Sequence, residues 1–317
     1  MRILVTGALG KVGAATVTVL HDAGHEVVAC DRRPPVFEVD PVPGISYFQA
    51  DLADAGDAFA TVRGMDAVVH AAALPAPIAT PPHRTFQNNL MGVFNTLEAA
   101  VRFGVRRFVN ISSETVPGFF FNERPDRADA FPIDETHEPR PQDPYALAKL
   151  FSEQLCDAAM RRSALRCTTI RPSWVQWEGN YERNVGQGLR DGVNGPSPSG
   201  WAYIDAYDLA EAIRLAVESD LDSHDVFLIA AADNALGRPL AELVAEGFGD
   251  DAPPLGDLDR PDASGSSIAH AREKLGWTPR RSWRDYLDPT TGQLLPEPAE
   301  RLAAGTTGVQ RARAAVS

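Results

Sequence analysis

Cysteine is scarce in this chain. There are three, Cys30, Cys156 and Cys167, an odd number with no C-x-x-C spacing. That excludes a disulfide framework and a thiolate zinc site, and it reads as reduced, buried thiols in a cytoplasmic protein with no metal. Positive charge is also short: 30 Lys and Arg stand against 43 Asp and Glu, a formal net charge of −13. Nucleic acid and anionic membrane surfaces both favour basic partners, so neither is expected here. No run approaches the roughly 18 apolar residues of a membrane-spanning helix. Met1-Arg2 leads at once into a strand-like segment, which leaves no room for a signal peptide. No internal repeat is visible. What remains is 317 residues, 44% hydrophobic and 23% charged, enough for a substantial core in one large or two modest domains. A small molecule is the expected partner.

Short apolar runs alternate with helical patterns from the start. Arg2-Ile3-Leu4-Val5 is a strand, followed by Thr6-Gly7-Ala8-Leu9-Gly10-Lys11-Val12-Gly13 and a helical pattern from Ala14 to Ala23. Strand, glycine turn and helix in that order make a phosphate cradle: the glycines let backbone approach a pyrophosphate, and the helix start stabilises its charge. The spacing is G-x-x-G-x-x-G. A second strand, His25 to Asp31, puts a carboxylate about 20 residues past the loop, where a ribose diol would lie. Asp31 would accept both hydroxyls and repel a 2′-phosphate, which favours NAD over NADP, while Arg32 and Arg33 pull the other way.

The rhythm continues. Ile45 to Phe48 reads as a third strand running to Asp51-Leu52, Asp54 to Arg63 as a helix, and Ala67 to Ala73 as a fourth strand ending in small residues suited to a cofactor. His70 within it reads as a packed histidine. A proline-broken loop, Ile78 to Pro82, precedes a long helix from Arg84 to Phe103, and Arg107 to Ile111 is a fifth strand ending in Ser112-Ser113. Strands separated by helices imply parallel crossovers and a doubly wound α/β sheet, whose ligands bind at the carboxyl ends of the strands.

Asp143-Pro144-Tyr145-Ala146-Leu147-Ala148-Lys149 then opens another helix, to Met160. Tyr145 and Lys149, at i and i+4, share a face. A cation near a phenol favours the phenolate, so the pair could act as a base near neutrality.

These segments in this order resemble the extended short-chain dehydrogenase/reductases, the NAD-dependent epimerase/dehydratase group. The matching pieces are Thr6-Gly7-x-x-Gly10-x-x-Gly13, Asp51-Leu52, Val69 to Ala73, Asn89-x-x-Gly92 with Leu97-Glu98-Ala99-Ala100, Ser112-Ser113, and Pro144-Tyr145-x-x-x-Lys149. Arg171-Pro172, Tyr203 to Ala210 and Leu275 to Pro279 follow, so the resemblance runs from Met1 to about Leu287. It implies a Rossmann-type doubly wound parallel sheet with a small C-terminal substrate lobe. The NAD-binding domain would be 1–172, with 201–230 returning to it; the lobe would be 173–200 and 231–290, and 291–317 a frayed or appended tail.

The resemblance also assigns roles. Tyr145 takes a proton from a substrate hydroxyl, Lys149 lowers the phenol's pKa and binds the nicotinamide ribose, and Ser113, five residues before Gly118, holds the reacting oxygen. Cofactor contacts are expected at Gly7, Leu9, Gly10, Lys11, Val12, Gly13, Asp31, Arg32, Asp51, Leu52, Ala71, Ala72, Ala73, Asn89, Tyr145, Lys149 and Pro172. Substrate contacts are expected at Leu74, Glu114, Trp174, Asn180 and Arg183, the last as a partner for a substrate carboxylate. Where 4,6-dehydratases carry Thr-Asp-Glu, this chain has Ser113-Glu114-Thr115, which lacks the carbon-proton base and argues against dehydration. The short segment after Pro172 and the Ser-Ser-x-x-x-x-Gly-Phe-Phe run look most like uronate dehydrogenases. The expected activity is NAD-dependent oxidation of a small sugar or sugar-acid hydroxyl. A sugar or nucleotide-sugar epimerase and a non-catalytic cofactor-binding regulator stand as alternatives, and a homodimer through the helices at 84–103 and 145–160 is implied. Asp250 to Ser267 reads as an exposed connection.

Overall fold

Seven strands, most of them joined through helices, pair into one wholly parallel sheet. The computed structural model describes residues 1–34, 42–78 and 80–304. The strands are β1 (Arg2–Thr6), β2 (Glu26–Asp31), β3 (Ile45–Gln49), β4 (Ala67–His70), β5 (Arg107–Ile111), β6 (Arg166–Pro172) and, after a separate parallel pair β7 (Trp174–Gln176) and β8 (Tyr203–Asp205), β9 (Asp225–Ile229). Their order is β3-β2-β1-β4-β5-β6-β9. The helices are α1 (Lys11–Asp22), α2 (Ala55–Val62), α3 (Pro82–Phe103), α4 (Pro144–Arg162), α5 (Glu178–Tyr181), α6 (Gln187–Asp191), α7 (Ala206–Glu218), α8 (Leu240–Phe248), α9 (Ala269–Leu275) and α10 (Pro296–Ala303).

Both faces of the sheet are covered, which is why its strands read as unbroken apolar runs rather than alternating ones. Successive side chains point to opposite faces. Ile3, Val5, Val27 and Ala29 therefore enter the core shared with Val17 and Leu20 of α1 and Leu209 and Ile213 of α7. Leu4, Val28, Val68 and Phe108 enter the other, with Leu97 of α3 and Cys156 of α4. The chain lays β2 and β3 to one side of β1, then crosses back to place β4 on its other side. That reversal opens a crevice at the carboxyl tips of β1 and β4, where such sheets hold ligands.

Several boundaries differ from the sequence reading. Helix α1 begins at Lys11, directly after the glycine turn, with Gly10 as its N-cap. β4 ends at His70, and Ala71 to Ala73 are irregular, because Thr6 Oγ1 accepts the amides of both Ala71 and Ala72 at 3.1 Å. Only the first part of 250–267 is exposed. Ala263, Ser264 and Ser266 are buried, and bridges join Phe131 to Leu255, Ile133 to Ser266 and Asp233 to Ala263. The expected frayed tail starts with an ordered helix: α10 packs beside α5, and Arg301 pairs with Glu178 at 2.9 Å. Residues 305–317 lie outside the described residues.

Candidate active site

The tips of β1, β2, β4, β5 and β6 border a cleft of about 910 Å³. The glycine turn forms its floor, and local sterics decide its composition. A Cβ on Gly13 would stand 2.2 Å from the Gly7 carbonyl oxygen, so only glycine lets α1 start this close to the turn. The first turn of α1 carries no acidic residue, and no side chain caps it, so its amide ends remain available to an anion. At the tip of β2, Asp31 accepts the Leu9 amide at 3.0 Å and the Arg33 amide at 3.1 Å, and it pairs with the Arg33 guanidinium at 3.2 Å. Burial pulls its carboxyl upward, but these hydrogen bonds and the Arg33 charge outweigh it and hold the pKa below the ordinary value. A dinucleotide fits this half: a side-chain-free cradle for phosphates, a helix start facing it, and a carboxylate held ionised at the next strand tip.

Gly7, Leu9, Gly10, Lys11, Val12, Gly13, Asp31, Arg32, Ala71, Ala73, Tyr145, Lys149 and Pro172 all line this cleft. Asp51, Leu52 and Ala72 line a smaller adjoining pocket of about 80 Å³, together with Asp31 and Gly7. Leu74 is there as well, on the cofactor side rather than among the residues of the substrate half. Asn89 borders neither space. Its amide accepts the Leu74 N–H at 2.8 Å and donates to the Leu74 carbonyl at 3.0 Å, pinning the loop after β4 from behind.

At the far side of the same cleft α4 delivers Tyr145 and Lys149. Asp143 caps this helix, accepting the amides of Tyr145 and Ala146 at 2.9 and 3.0 Å, and Pro144 sits at its first position. The cap fixes where the helix starts and hence which face the two side chains share. Lys149 Nζ donates to the Ile111 carbonyl at 2.6 Å and lies 5.7 Å from the centroid of the Tyr145 ring. Burial lowers the lysine to about 8, with Glu153 opposing the shift. Tyr145 moves the other way: burial pushes its phenol up to about 12, partly offset by a hydrogen bond with Ser113. The phenol is therefore protonated at neutral pH, and the lysine alone does not bring it to a phenolate. Gly118 shapes the Ser113 turn; its φ is +103°, and a Cβ there would lie 2.2 Å from the Arg140 carbonyl oxygen.

Glu114 and Trp174 face the cleft too, but Asn180 and Arg183 do not. Asn180 is buried and accepts the Trp177 amide at 2.7 Å, as part of the α5 cap. Arg183 is exposed. His70 is a packed histidine: buried, 3.3 Å from Thr6 Oγ1, its ring stacked on Phe108, and held by burial to a pKa of about 3. The aromatic run splits by role, with Phe119 in a core and Phe120 and Phe121 on the cleft.

Some of the site's support was not read from the sequence. Glu153 lies under the serines: it accepts Ser112 Oγ at 2.6 Å and forms a two-pronged pair with Arg171 at 2.8 and 2.9 Å. The signal was present, since Glu153 is one turn beyond Lys149 on the same helix face. Thr115, Ser173, Ser197, Ser199 and Trp201 also line the cleft and come from separated segments that no spacing connects.

Comparison with known proteins agrees with this architecture. Residues 3–230 match the model of the NAD dependent epimerase/dehydratase family. A UDP-glucose 4-epimerase of Streptomyces lividans is 27% identical over 89% of this chain and 92% of its own length. MoeE5, solved in complex with UDP-glucose and NAD, superposes with a TM-score of 0.69 at 25% identity, covering 96% of this chain and 100% of that one. A mutated uronate dehydrogenase shares the fold, with a TM-score of 0.62 at 22% identity over 96% of this chain and 98% of that one. With a family match across most of its length and a cleft of this composition, the chain belongs to the NAD dependent epimerase/dehydratase family, as an enzyme of the extended short-chain dehydrogenase/reductase type.

Proposed function

We propose that this protein is an NAD-dependent oxidoreductase that oxidises a hydroxyl of a small sugar, with Tyr145, Ser113 and Lys149 as its catalytic residues. The observation that carries the reading is one cleft joining the glycine cradle and Asp31 to the buried Tyr145–Lys149 pair. NAD, when bound, supplies the ring that accepts hydride from the carbon bearing the hydroxyl. The protein's part is the proton. Ser113 hydrogen-bonds the reacting oxygen, and Tyr145 Oη takes the hydroxyl proton as hydride leaves carbon. In the reverse direction the phenol, protonated at neutral pH, delivers that proton to the carbonyl oxygen. Because the phenol must first lose its own proton to act as a base, oxidation gains rate as pH rises. Lys149, anchored by the Ile111 carbonyl, holds a positive charge beside the phenol and in reach of the ribose. Residues 173–200 and 231–290 serve as the substrate lobe over this centre.

An epimerase is the second reading, favoured by the similarity to a UDP-glucose 4-epimerase over nearly the whole chain. There the same hydride returns to the opposite face. The two readings separate on stoichiometry. A dehydrogenase accumulates one reduced coenzyme per product formed, whereas an epimerase converts its sugar with no net reduction of added NAD.

We propose further that the protein is a cytoplasmic homodimer. Phe94 on α3 and Phe151 on α4 are 39% and 36% exposed, and Phe86 packs edge-on against Phe151, an apolar face suited to a second copy. Light scattering should give twice the chain mass, and Phe151→Glu should shift it to the monomer. The three free, buried cysteines suit a reducing compartment, and among the described residues no helix is long and apolar enough to cross a membrane.

A further inference from the structure

Few charges are buried under the Tyr145 end of the cleft, and they converge on one acid. Lys149 is buried, and its Nζ donates to the carbonyl of Ile111, the last residue of β5. One turn further along α4, on the same face, stands Glu153, buried as well. Its Oε1 accepts Ser112 Oγ at 2.6 Å and Arg171 Nε at 2.9 Å, and its Oε2 accepts Arg171 Nη2 at 2.8 Å. Arg171 Nη1 is buried with no hydrogen-bond partner, so among the described residues Glu153 is the acid that holds this guanidinium. The other titratable groups nearby do not balance Lys149. His70 on β4 feels its charge, and burial keeps that ring neutral. Glu114 and Asp143 act on the Tyr145 phenol instead. Glu153 is the charged side chain that opposes the loss of the Lys149 proton.

We propose that Glu153 is a positioning residue for the reaction, acting through Lys149, which it holds as an ammonium beside the Tyr145 phenol. This rests on the reading of Tyr145 and Lys149 as catalytic residues and deepens it. Glu153 does not line the cleft, so it reaches the chemistry only through its neighbours. Ser112 and Arg171 fix its carboxylate from two strands, and that fixed charge sits one helical turn from Lys149. Burial brings the lysine down to about 8 even with the acid in place, so without Glu153 much of it would be neutral near physiological pH. A neutral amine does not favour the phenolate, and Tyr145 would lose the cation that helps it take a proton. The same helix grips the β5 tip at two adjacent points, Lys149 at Ile111 and Glu153 at Ser112, just before Ser113.

The chain has three lysines, Lys11, Lys149 and Lys274, so NMR spectra of protein isotopically labelled at lysine Cε can follow each one as it titrates, with Lys11→Arg and Lys274→Arg identifying the other two. In the NAD-saturated protein, Glu153→Gln should lower the Lys149 midpoint by about one pH unit or more. Arg171→Met breaks the same pair but keeps the acid, and should leave the midpoint in place. The double variant Glu153→Gln/Arg171→Met strands no charge and should fold even where a single change does not. Its midpoint should fall as in Glu153→Gln, because of the two charges it is Glu153 that acts on Lys149. On a sugar that the parent oxidises, single-turnover NADH formation by Glu153→Gln at neutral pH should drop about tenfold. An unmoved midpoint in Glu153→Gln or in the double variant overturns the proposal, as does an equal fall in Arg171→Met or a Glu153→Gln rate equal to that of the parent. The titration needs no substrate, so the two readings fail separately: a Tyr145→Phe protein that forms NADH as fast as the parent refutes the oxidation reading while the Lys149 midpoints stand.

Discussion

Asp31 offers the sharpest test of coenzyme choice. Its side chain is 10% exposed, ionised, and already holds the Leu9 amide of the glycine turn and the Arg33 guanidinium. A ribose diol placed at the tip of β2 would add hydrogen bonds to a charged acceptor, worth about 1.5–3 kcal/mol in all. At 1.4 kcal/mol per factor of ten, Asp31→Ala should weaken NAD binding by roughly 10- to 150-fold. The same change removes the charge that repels a 2′-phosphate and frees Arg33 to meet it, so affinity for NADP should rise relative to NAD. Asp31→Asn separates the two effects. The amide oxygen can still accept from Leu9 and keep the turn in place, yet the charge is gone, so discrimination against NADP should relax while the melting temperature stays near that of the parent. Titrating each protein with both coenzymes, followed by tryptophan fluorescence, supplies the dissociation constants. An NAD affinity unchanged by Asp31→Ala, or a parent protein that prefers NADP, would refute this placement of the ribose.

Two further expectations concern the support of the site. Arg171→Met strands Glu153, whose pair with Arg171 is 5% and 8% exposed, and should cost about 3–5 kcal/mol of stability in denaturant titration, a loss that a purely surface pair would not show. Burial lifts the Glu114 carboxyl from 4.5 to about 8, so across that interval the folded state binds more protons than the unfolded one. The stability linked to Glu114 is therefore complete below about pH 4.5 and lost as pH rises to about 8; thermal melts of Glu114→Gln should fall less over this range than those of the parent, and parallel curves would contradict the burial of that carboxyl.

Much of the fold was legible because a parallel sheet covered on both faces writes itself as repeated apolar runs, each ending in a small or polar residue. Gly7, Asp31 and Ser113 stand at such ends, and the i, i+4 spacing placed Tyr145 and Lys149 on one face. The substrate half was harder to read, because its lining comes from segments far apart in the chain that no periodicity links. Arg183 and Asn180 lie near Trp174 in sequence, but α5 turns Asn180 inward as a cap while Arg183 is exposed. Charge balance was hidden as well: spacing could suggest that Lys149 lowers the phenol's pKa, but only burial in the folded protein reveals that the phenol rises to about 12. Helix α10 escaped notice because one of the contacts that dock it, the pair of Arg301 with Glu178, joins residues far apart in the chain.

The central claim is that the Tyr145 hydroxyl moves the proton while hydride passes to the coenzyme. Single-turnover NADH formation by Tyr145→Phe, on a sugar that the parent oxidises, tests it most directly. The account predicts a rate lower by about 10²–10⁴-fold with the dissociation constant for NAD unaltered. A rate within a few-fold of the parent would contradict it.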